Sequence, residues 1–221
     1  MELTASDLTP RERYRLLIGC IVPRPIALVS TLSPEGRPNL APYSFFNGVG
    51  SDPMTLLFCP ANGPDGAEKD SLRNCKPRDE GGTGEFVVNV ALESYRRQMA
   101  AAAEPLPYGE SEFELTGLAT APSRVVAPPR LADSPVAFEC RTLQVVRTNP
   151  GVPTGGNIVL GEIVHLYVSD ELVDDHLHVD PARLPAVGRL GGLSYCRISE
   201  RFELPRGRAA LPPLEGREDP A

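Results

Sequence analysis

Residues 25–59 read PIALVSTLSPEGRPNLAPYSFFNGVGSDPMTLLFC. The apolar, β-branched run at 25–32 is typical of a strand, and Ser33-Pro34-Glu35-Gly36 predicts a type I turn with glycine in the left-handed position. A return strand at 38–47 and a third strand at 54–59 are predicted by the residues that follow. From this stretch we predict a three-stranded meander and a fold that is mainly β.

The rest of the chain continues in the same way, with short strands and a few short helices. Further strands are predicted at 85–90, 136–148 and 157–168 and in a glycine-broken segment at 184–198, and short helices at 10–17 (with a Thr9/Glu12 capping box), 70–74 and 92–103. Residues 104–135 form a proline-interrupted excursion, with one possible strand at 123–126. Strands at this spacing without regular βαβ alternation indicate a barrel. We predict a single domain over 1–205 and a mobile tail, rich in Pro, Arg and Glu, over 206–221.

Composition excludes several classes of function. Of the 221 residues 41% are apolar, which is enough for a core, and the net charge is −7. Because no Lys/Arg cluster is present, nucleic acid is not an expected partner. No run of about 18 apolar residues occurs and the first residues show no signal-peptide pattern, so we expect no membrane segment and a cytoplasmic protein.

Three short motifs in the first half of the chain have the chemistry of a ligand site. The hydroxyls of Ser30 and Thr31 end an apolar strand, where they suit phosphate oxygens or ordinary turn capping. The segment Ser44-Phe45-Phe46-Asn47 suits a planar heterocycle or plain core packing. Lys69, Asp70 and Ser71 open a predicted helix, where they suit a phosphate, although Asp70 also suits a simple N-cap.

A fourth motif, Gly188-Arg189-Leu190-Gly191-Gly192-Leu193-Ser194-Tyr195, lies near the end of the chain. Its glycines allow close approach of a ligand, Arg189 offers a cation and Tyr195 a ring, while the bland alternative is a β-bulge with surface charge. His176 and His178 lack a third ligand, so we expect no metal. Walker A, nucleophile-elbow and Rossmann patterns are absent.

The order of these motifs resembles the flavin-reductase-like family of FMN-binding split barrels. The resemblance is found in 24–31, 36–47, 52–53, 69–71, 84–89 and 189–195, and it covers about residues 11–200. It implies a Greek-key split β-barrel that forms a homodimer with FMN at the interface. It also implies that the phosphate lies near Ser30, Thr31, Lys69 and Ser71, and the isoalloxazine along 44–47. Arg189, Gly191, Gly192 and Tyr195 would lie near the flavin or the nicotinamide.

Three functions are compatible with such a flavin site. The leading hypothesis is an NAD(P)H:flavin oxidoreductase that supplies reduced flavin to a partner monooxygenase. In this reaction the cofactor performs the redox chemistry, so no catalytic side chain is required, and Arg189 and Tyr195 are the candidates for a supporting role. A flavoenzyme with tightly bound FMN and its own small organic substrate is the second hypothesis, and a non-enzymatic FMN carrier or sensor is the third. The sequence does not distinguish NADH from NADPH.

Overall fold

The computed structural model describes residues 1–211. Its main strands are β1 (Ala27–Leu32), β2 (Pro38–Tyr43), β3 (Phe46–Ser51), β4 (Met54–Phe58), β5 (Glu85–Val90), β6 (Thr120–Ala121), β7 (Arg130–Leu131), β8 (Val136–Arg147), β9 (Asn157–Val168), β10 (Val187–Arg189) and β11 (Tyr195–Arg197). The helices are α1 (Pro10–Cys20), α2 (Asp70–Cys75), α3 (Arg96–Ala101) and α4 (Glu112–Thr116). The predicted mainly β class with a few short helices is confirmed.

Seven strands form one antiparallel sheet in the order β2-β1-β5-β8-β9-β4-β3. Its two edges, β2 and β3, are consecutive in the chain, and only Ser44 and Phe45 lie between them. The three Cα–Cα steps from Tyr43 to Phe46 span about 11 Å at most, so the sheet must curl until the end of one edge strand lies close to the start of the other. A hydrogen bond of 2.8 Å from Cys59 N to Phe45 O lies at this corner. The predicted split barrel is confirmed.

The predicted meander is wrong in its arrangement. The turn at Ser33–Gly36 is present, with Gly36 at φ +82° and its N–H donating to Ser33 O. The expected single strand at 38–47 instead breaks after Tyr43, and β1–β2 and β3–β4 are hairpins on opposite edges of the sheet. Because Ser and Phe are compatible with extended backbone, the local sequence does not mark the corner, which barrel closure imposes.

The long hairpin of β8 and β9 is confirmed at nearly the predicted bounds, and it crosses the core. Gly161 in β9 faces Phe86 in β5, where a Cβ atom would lie 2.4 Å from Phe86 Cζ. A side chain at this position would therefore displace a ring that is fully buried. Phe58 lies 5.1 Å from both Phe86 and Tyr43, measured between ring centroids, and these rings form the centre of the barrel core.

The helices agree with the sequence in place but not always in length. Helix α1 has the expected capping box, with Glu12 N donating to Thr9 Oγ1 and Thr9 N to Glu12 Oε2, and it continues to Cys20. The predicted helix at 92–103 is reduced to α3, because Leu92 pairs with Ala186 in a β-bridge. Tertiary pairing thus overrides a helix-favouring composition. Among residues 1–211 no helix has the length and hydropathy needed to cross a membrane.

The excursion at 104–135 is held against the barrel by buried polar side chains. The strand predicted at 123–126 is wrong, because the N–H groups of Arg124, Val125 and Val126 donate to the carboxylate of Glu139 at 2.8, 2.7 and 3.2 Å. Glu139 lies in β8 and is 1% exposed. The excursion contains α4, β6 and β7 instead. A carboxylate that accepts three N–H groups replaces the sheet ladder that the sequence pattern suggested.

The chain after β11 contains no strand up to residue 211. Residues 206–211 are exposed, and Gly207–Ala210 form one 3-10 turn. Residues 212–221, which make up most of the predicted tail, lie outside the described residues. The domain boundary at 205 and the mobility of the tail stay predictions.

Candidate functional site

The segment Ser44–Asn47 lies where β2 turns into β3. Phe46 packs against the barrel core, whereas the rest of β3 is exposed. β3 is an edge strand, and the outer side of an edge strand presents backbone N–H and C=O groups without strand partners. Asn47 Oδ1 accepts a hydrogen bond from Gly48 N at 2.9 Å. The segment thus offers the polar backbone edge that recognition of a heterocycle requires.

A cleft of about 220 Å³ lies between β2 and the start of α2. Lys69, Asp70 and Ser71 line it together with Pro42 and Tyr43, and residues 102–106 with Glu112 form the opposite wall. The predicted phosphate-binding motif therefore shares the cleft with Pro42 and Tyr43, which directly precede the predicted heterocycle segment, whereas residues 44–47 themselves do not line it. The sequence could not predict how far apart these two motifs lie in the fold, because residues 48–68 separate them in the chain.

The start of α2 differs from the expected cap. Lys69 is the N-cap residue and Asp70 is the first helical residue, so the interpretation of Asp70 as an N-cap is wrong. Asp70 instead lies 3.6 Å from Arg73, one turn further along the helix. Lys69 takes part in none of the ion pairs formed within residues 1–211. Its ammonium group therefore has no competing carboxylate partner in this part of the chain.

The cleft also contains acidic side chains, which oppose an anionic ligand. Asp70, Glu104 and Glu112 line it with Lys69. Burial raises the pKa of Asp70, against the effect of Arg73, and burial also raises the pKa of Glu112. Both shifts act toward the neutral acids, and the charge of Arg73 opposes the shift at Asp70.

The hydroxyls of Thr31 and Ser71 belong to a buried network beneath the cleft. Asn39 Nδ2 donates to Ser71 Oγ at 2.9 Å and to Thr31 Oγ1 at 3.3 Å, and Asn74 Nδ2 donates to Thr31 Oγ1 at 3.0 Å. All four side chains are 5% exposed or less. The network positions the floor of the cleft, and the phosphate-binding role of these hydroxyls stays a prediction.

Ser30 is placed differently from its neighbour Thr31. It is fully buried, and its hydroxyl donates to the carbonyl of Pro129 in the excursion. The structure therefore gives the Ser30 hydroxyl a partner from the excursion, and it does not place Ser30 among the residues that line the cleft. A role for Ser30 in phosphate binding also stays a prediction.

The glycine-rich motif near the end of the chain forms the small β10–β11 hairpin. The guanidinium carbon of Arg189 lies 4.3 Å from the ring centroid of Tyr195, and Arg189 Nη2 donates to Gly192 O at 2.6 Å. Gly192 has φ +59°, a conformation that favours glycine. At Gly191 a Cβ atom would lie 3.4 Å from Gly19 Cα, so this glycine permits close packing against α1. The predicted cofactor-binding role of Arg189, Gly191 and Gly192 stays a prediction.

The residue that joins these parts, Arg24, was not among the site residues predicted from the sequence. It is 3% exposed, and its Nε donates to Ser44 Oγ at 3.2 Å while Nη2 donates to Leu190 O at 3.0 Å. Its backbone N–H and C=O pair with those of Arg189. The sequence did contain a signal for Arg24, because this arginine stands directly before an apolar run predicted to be buried. Arginine is rarely buried without a specific role.

A second, larger groove of about 810 Å³ begins at Phe45. Apart from Arg13 its lining carries no charged side chain, and Tyr14, Leu17 and Cys59 are among the residues that form its walls. Burial raises the pKa of the Cys59 thiol. The groove has the volume and the apolar character of a small-molecule site.

The cleft at Lys69 fits the phosphate end of a flavin that carries a phosphate. The 220 Å³ cleft is large enough for a phosphate and part of a polyol chain, and Lys69 supplies the cation. The ring system needs more room than this cleft offers, so it must extend out of the cleft, and the exposed backbone edge of β3 is the polar surface that follows Tyr43 in the chain. The donor set therefore agrees with the cofactor class that the sequence motifs imply.

Comparisons with known proteins point in the same direction. A family model described as a flavin reductase like domain matches residues 18–187. An uncharacterized protein of Halalkalibacterium halodurans is 38% identical over 207 residues, which are 93% of this chain and 96% of the relative.

Two solved structures are also similar over nearly their full length. Nitrilotriacetate monooxygenase component B from Bacillus cereus has a TM-score of 0.84 and 30% identity, covering 92% of this chain and 98% of its own. The 2-nitrobenzoate 2-nitroreductase NbaA from Pseudomonas fluorescens has a TM-score of 0.81 and 34% identity, covering 96% of this chain and 98% of its own.

Proposed function

The chain belongs to the flavin reductase like domain family, and on this premise we propose that it binds FMN and transfers hydride from NADH or NADPH to it. The observation that carries the proposal is the position of Lys69, which has no ion-pair partner within residues 1–211 and lies in a cleft lined by Pro42 and Tyr43, the residues directly before Ser44–Asn47. A flavin-binding family implies a flavin cofactor, and a single lysine in a small cleft favours one phosphate group, which FMN carries. FMN is therefore preferred over a dinucleotide.

The described residues have three tasks in this function. Lys69 binds the phosphate, the backbone of Phe46 and Asn47 binds the polar edge of the ring system, and the buried network beneath the cleft holds α2 in place. FMN held in this way would supply the acceptor for hydride from the nicotinamide, and such a transfer needs aligned rings more than an acid or a base, so the task of these residues is to hold and orient. Arg189 and Tyr195 are the candidates for holding the nicotinamide, because they are stacked on each other and Tyr195 is 40% exposed.

We propose that the protein forms a homodimer with the flavin at the interface. The β3 edge supports this, because it is exposed and carries Val49, which is 54% exposed, and it is followed by Met54, which is 45% exposed. A partner monooxygenase is supported by the similarity to a protein whose name gives it as component B of a monooxygenase. Reduced flavin would then be the product that leaves this protein.

In a second candidate function, the protein keeps FMN tightly bound and acts with it on a small organic substrate. The 810 Å³ groove favours it, because its volume and its mostly apolar lining suit a small organic molecule. The 34% identity with a 2-nitrobenzoate 2-nitroreductase also supports this candidate. An FMN carrier or sensor would have the flavin site without a productive nicotinamide site.

The visible absorption spectrum of the purified protein tests the proposal. We expect a flavin absorption band, either in the protein as purified or after FMN has been added. We expect this band to bleach when NADH or NADPH is added anaerobically. A band that bleaches and then stays with the protein through gel filtration supports the second candidate. A band that neither nucleotide bleaches supports the carrier, and failure to bind added FMN would exclude all three functions.

A further inference from the structure

Arg24 contacts three separate segments of the chain with one side chain. Nη1 donates to the carbonyls of Ile18 and Ile21 at 2.5 and 2.6 Å, at the end of α1. Nε donates to Ser44 Oγ, and Nη2 donates to Leu190 O. The planar fork of arginine is the only side chain that can donate in all these directions at once.

The charge of Arg24 is buried without a carboxylate partner. Among the ion pairs within residues 1–211 none includes Arg24, and its hydrogen-bond acceptors are carbonyl and hydroxyl oxygens. Burial lowers its pKa, as does the nearby charge of Arg189, while Tyr14 acts in the opposite direction. A buried cation of this kind costs stability, so its retention calls for an explanation other than the strength of an ion pair.

The segments around Arg24 are in direct contact with one another. Arg24 and Arg189 exchange backbone hydrogen bonds of 2.9 and 2.8 Å. A Cβ atom at Gly188 would lie 3.2 Å from Pro23 Cβ, and one at Gly191 would lie 3.4 Å from Gly19 Cα. The β10–β11 hairpin is therefore seated directly on residues 19–24.

The guanidinium also faces the predicted flavin segment. Its carbon lies 5.9 Å from the ring centroid of Phe45, and Ser44 accepts its Nε hydrogen. A positive charge without a counter-ion stabilises the form of a bound group that carries more negative charge, and low polarity around it strengthens the effect. Arg24 lines neither cavity and reaches the site only through Ser44 and Phe45. Reduction adds electrons to a flavin, so a cation behind this segment would favour the reduced form of a flavin bound there.

We propose that Arg24 is a positioning residue that fixes the Ser44–Phe45 corner against the β10–β11 hairpin and places an uncompensated positive charge at the flavin site. The inference rests on the proposed flavin binding. It predicts that the flavin segment and the glycine hairpin are coupled through one side chain, and that the charge of this side chain raises the reduction potential of the bound flavin.

Three variants separate the two effects. Arg24→Gln removes the charge and most donors, Arg24→Lys keeps the charge but loses the fork, and Ser44→Ala removes a single acceptor while Arg24 stays intact. Arg11→Gln, at an exposed arginine of α1, is the matched control. The measurements are the FMN dissociation constant from fluorescence titration, the reduction potential of the bound flavin, and hydrogen–deuterium exchange of the flavin-free protein.

For Arg24→Gln we expect FMN binding weaker by about tenfold or more, a more negative potential, and faster exchange in both 44–48 and 187–197. Arg24→Lys should weaken binding but keep the potential close to that of the wild type. Ser44→Ala should speed exchange in 44–48 alone and weaken binding by about two- to fivefold. Arg11→Gln should match the wild type in every measurement.

A folded Arg24→Gln variant with wild-type affinity, potential and exchange would overturn the inference. If Arg24→Gln does not fold, the comparison of Arg24→Lys with Ser44→Ala tests the inference instead. The inference would also be overturned if these two variants showed the same hydrogen–deuterium exchange in 44–48 and in 187–197. A wild-type protein that binds no FMN would remove the proposed function, whereas the exchange pattern of the flavin-free variants would still test the coupling.

Discussion

The side chain of Asn39 donates a hydrogen bond of 2.9 Å to the hydroxyl of Ser71, and this bond joins strand β2 to helix α2. The same nitrogen donates to Thr31 Oγ1 at 3.3 Å. One buried amide thus holds both hydroxyls that the sequence motifs associate with phosphate. The cleft floor is consequently a polar network with internal partners, and Lys69 is the predicted phosphate ligand whose charge is not used within residues 1–211.

Replacement of Asn39 by alanine should destabilise the protein. The Ser71 and Thr31 hydroxyls would each lose a donor at a site with almost no solvent, which typically costs about 1–3 kcal/mol. Urea unfolding should show this loss in the free energy of unfolding. Asn149→Ala, at an exposed asparagine, is the control and should change little. Equal stability of the two variants would contradict the importance of the network.

Replacement of Lys69 by methionine should weaken FMN binding but not riboflavin binding. A charge-assisted hydrogen bond to phosphate contributes about 1.5–3 kcal/mol, so we expect the FMN dissociation constant to rise by about 10- to 100-fold. Fluorescence titration with both ligands measures the difference. Lys76→Met is the control, because Lys76 lies 3.0 Å from Glu68 and does not line the cleft. An equal loss of affinity for both flavins would place the phosphate elsewhere.

Replacement of Glu139 by glutamine should cost stability in a pH-dependent way. Burial acts to raise the pKa of Glu139. The three backbone N–H donors and the charge of His165 act in the opposite direction and outweigh burial, so the pKa lies below its usual value. A lowered pKa contributes stability above the unfolded-state value of about 4.3, and this stability is lost as the pH falls through the folded value. The variant should be less stable by about 2 kcal/mol at pH 7 and by less at pH 3. Urea unfolding at both pH values would contradict this if the difference stayed constant.

Replacement of Glu112 by glutamine should change the free energy of unfolding with the opposite pH dependence. Burial raises its pKa, with the charge of Asp70 acting in the same direction and the N–H of Leu40 opposing it. A raised pKa contributes stability that is complete below the unfolded-state value and is lost as the pH rises through the folded value. Relative to the wild type, Glu112→Gln should gain stability between pH 4 and pH 7. Chemical unfolding across this range would refute the prediction if the variant lost stability instead.

Some elements were correctly predicted because short-range interactions determine them. The capping box of Thr9 and Glu12, the turn that ends at Gly36, and the strands at 85–90 and 157–168 each depend on residues a few positions apart. Hydrophobic periodicity and turn preferences describe such elements well. The motif order was sufficient for the family and for the class of fold, since both are properties of the linear pattern.

The sequence by itself therefore determined the β character, most strands and the family. Only the tertiary structure decided the corner after Tyr43, the N-cap at Lys69, the capture of 124–126 by Glu139 and the role of Arg24. These features depend on groups that lie far apart in the chain, such as Arg24 and Leu190, and their free energy comes from burial and hydrogen-bond partners that exist only after the barrel has closed.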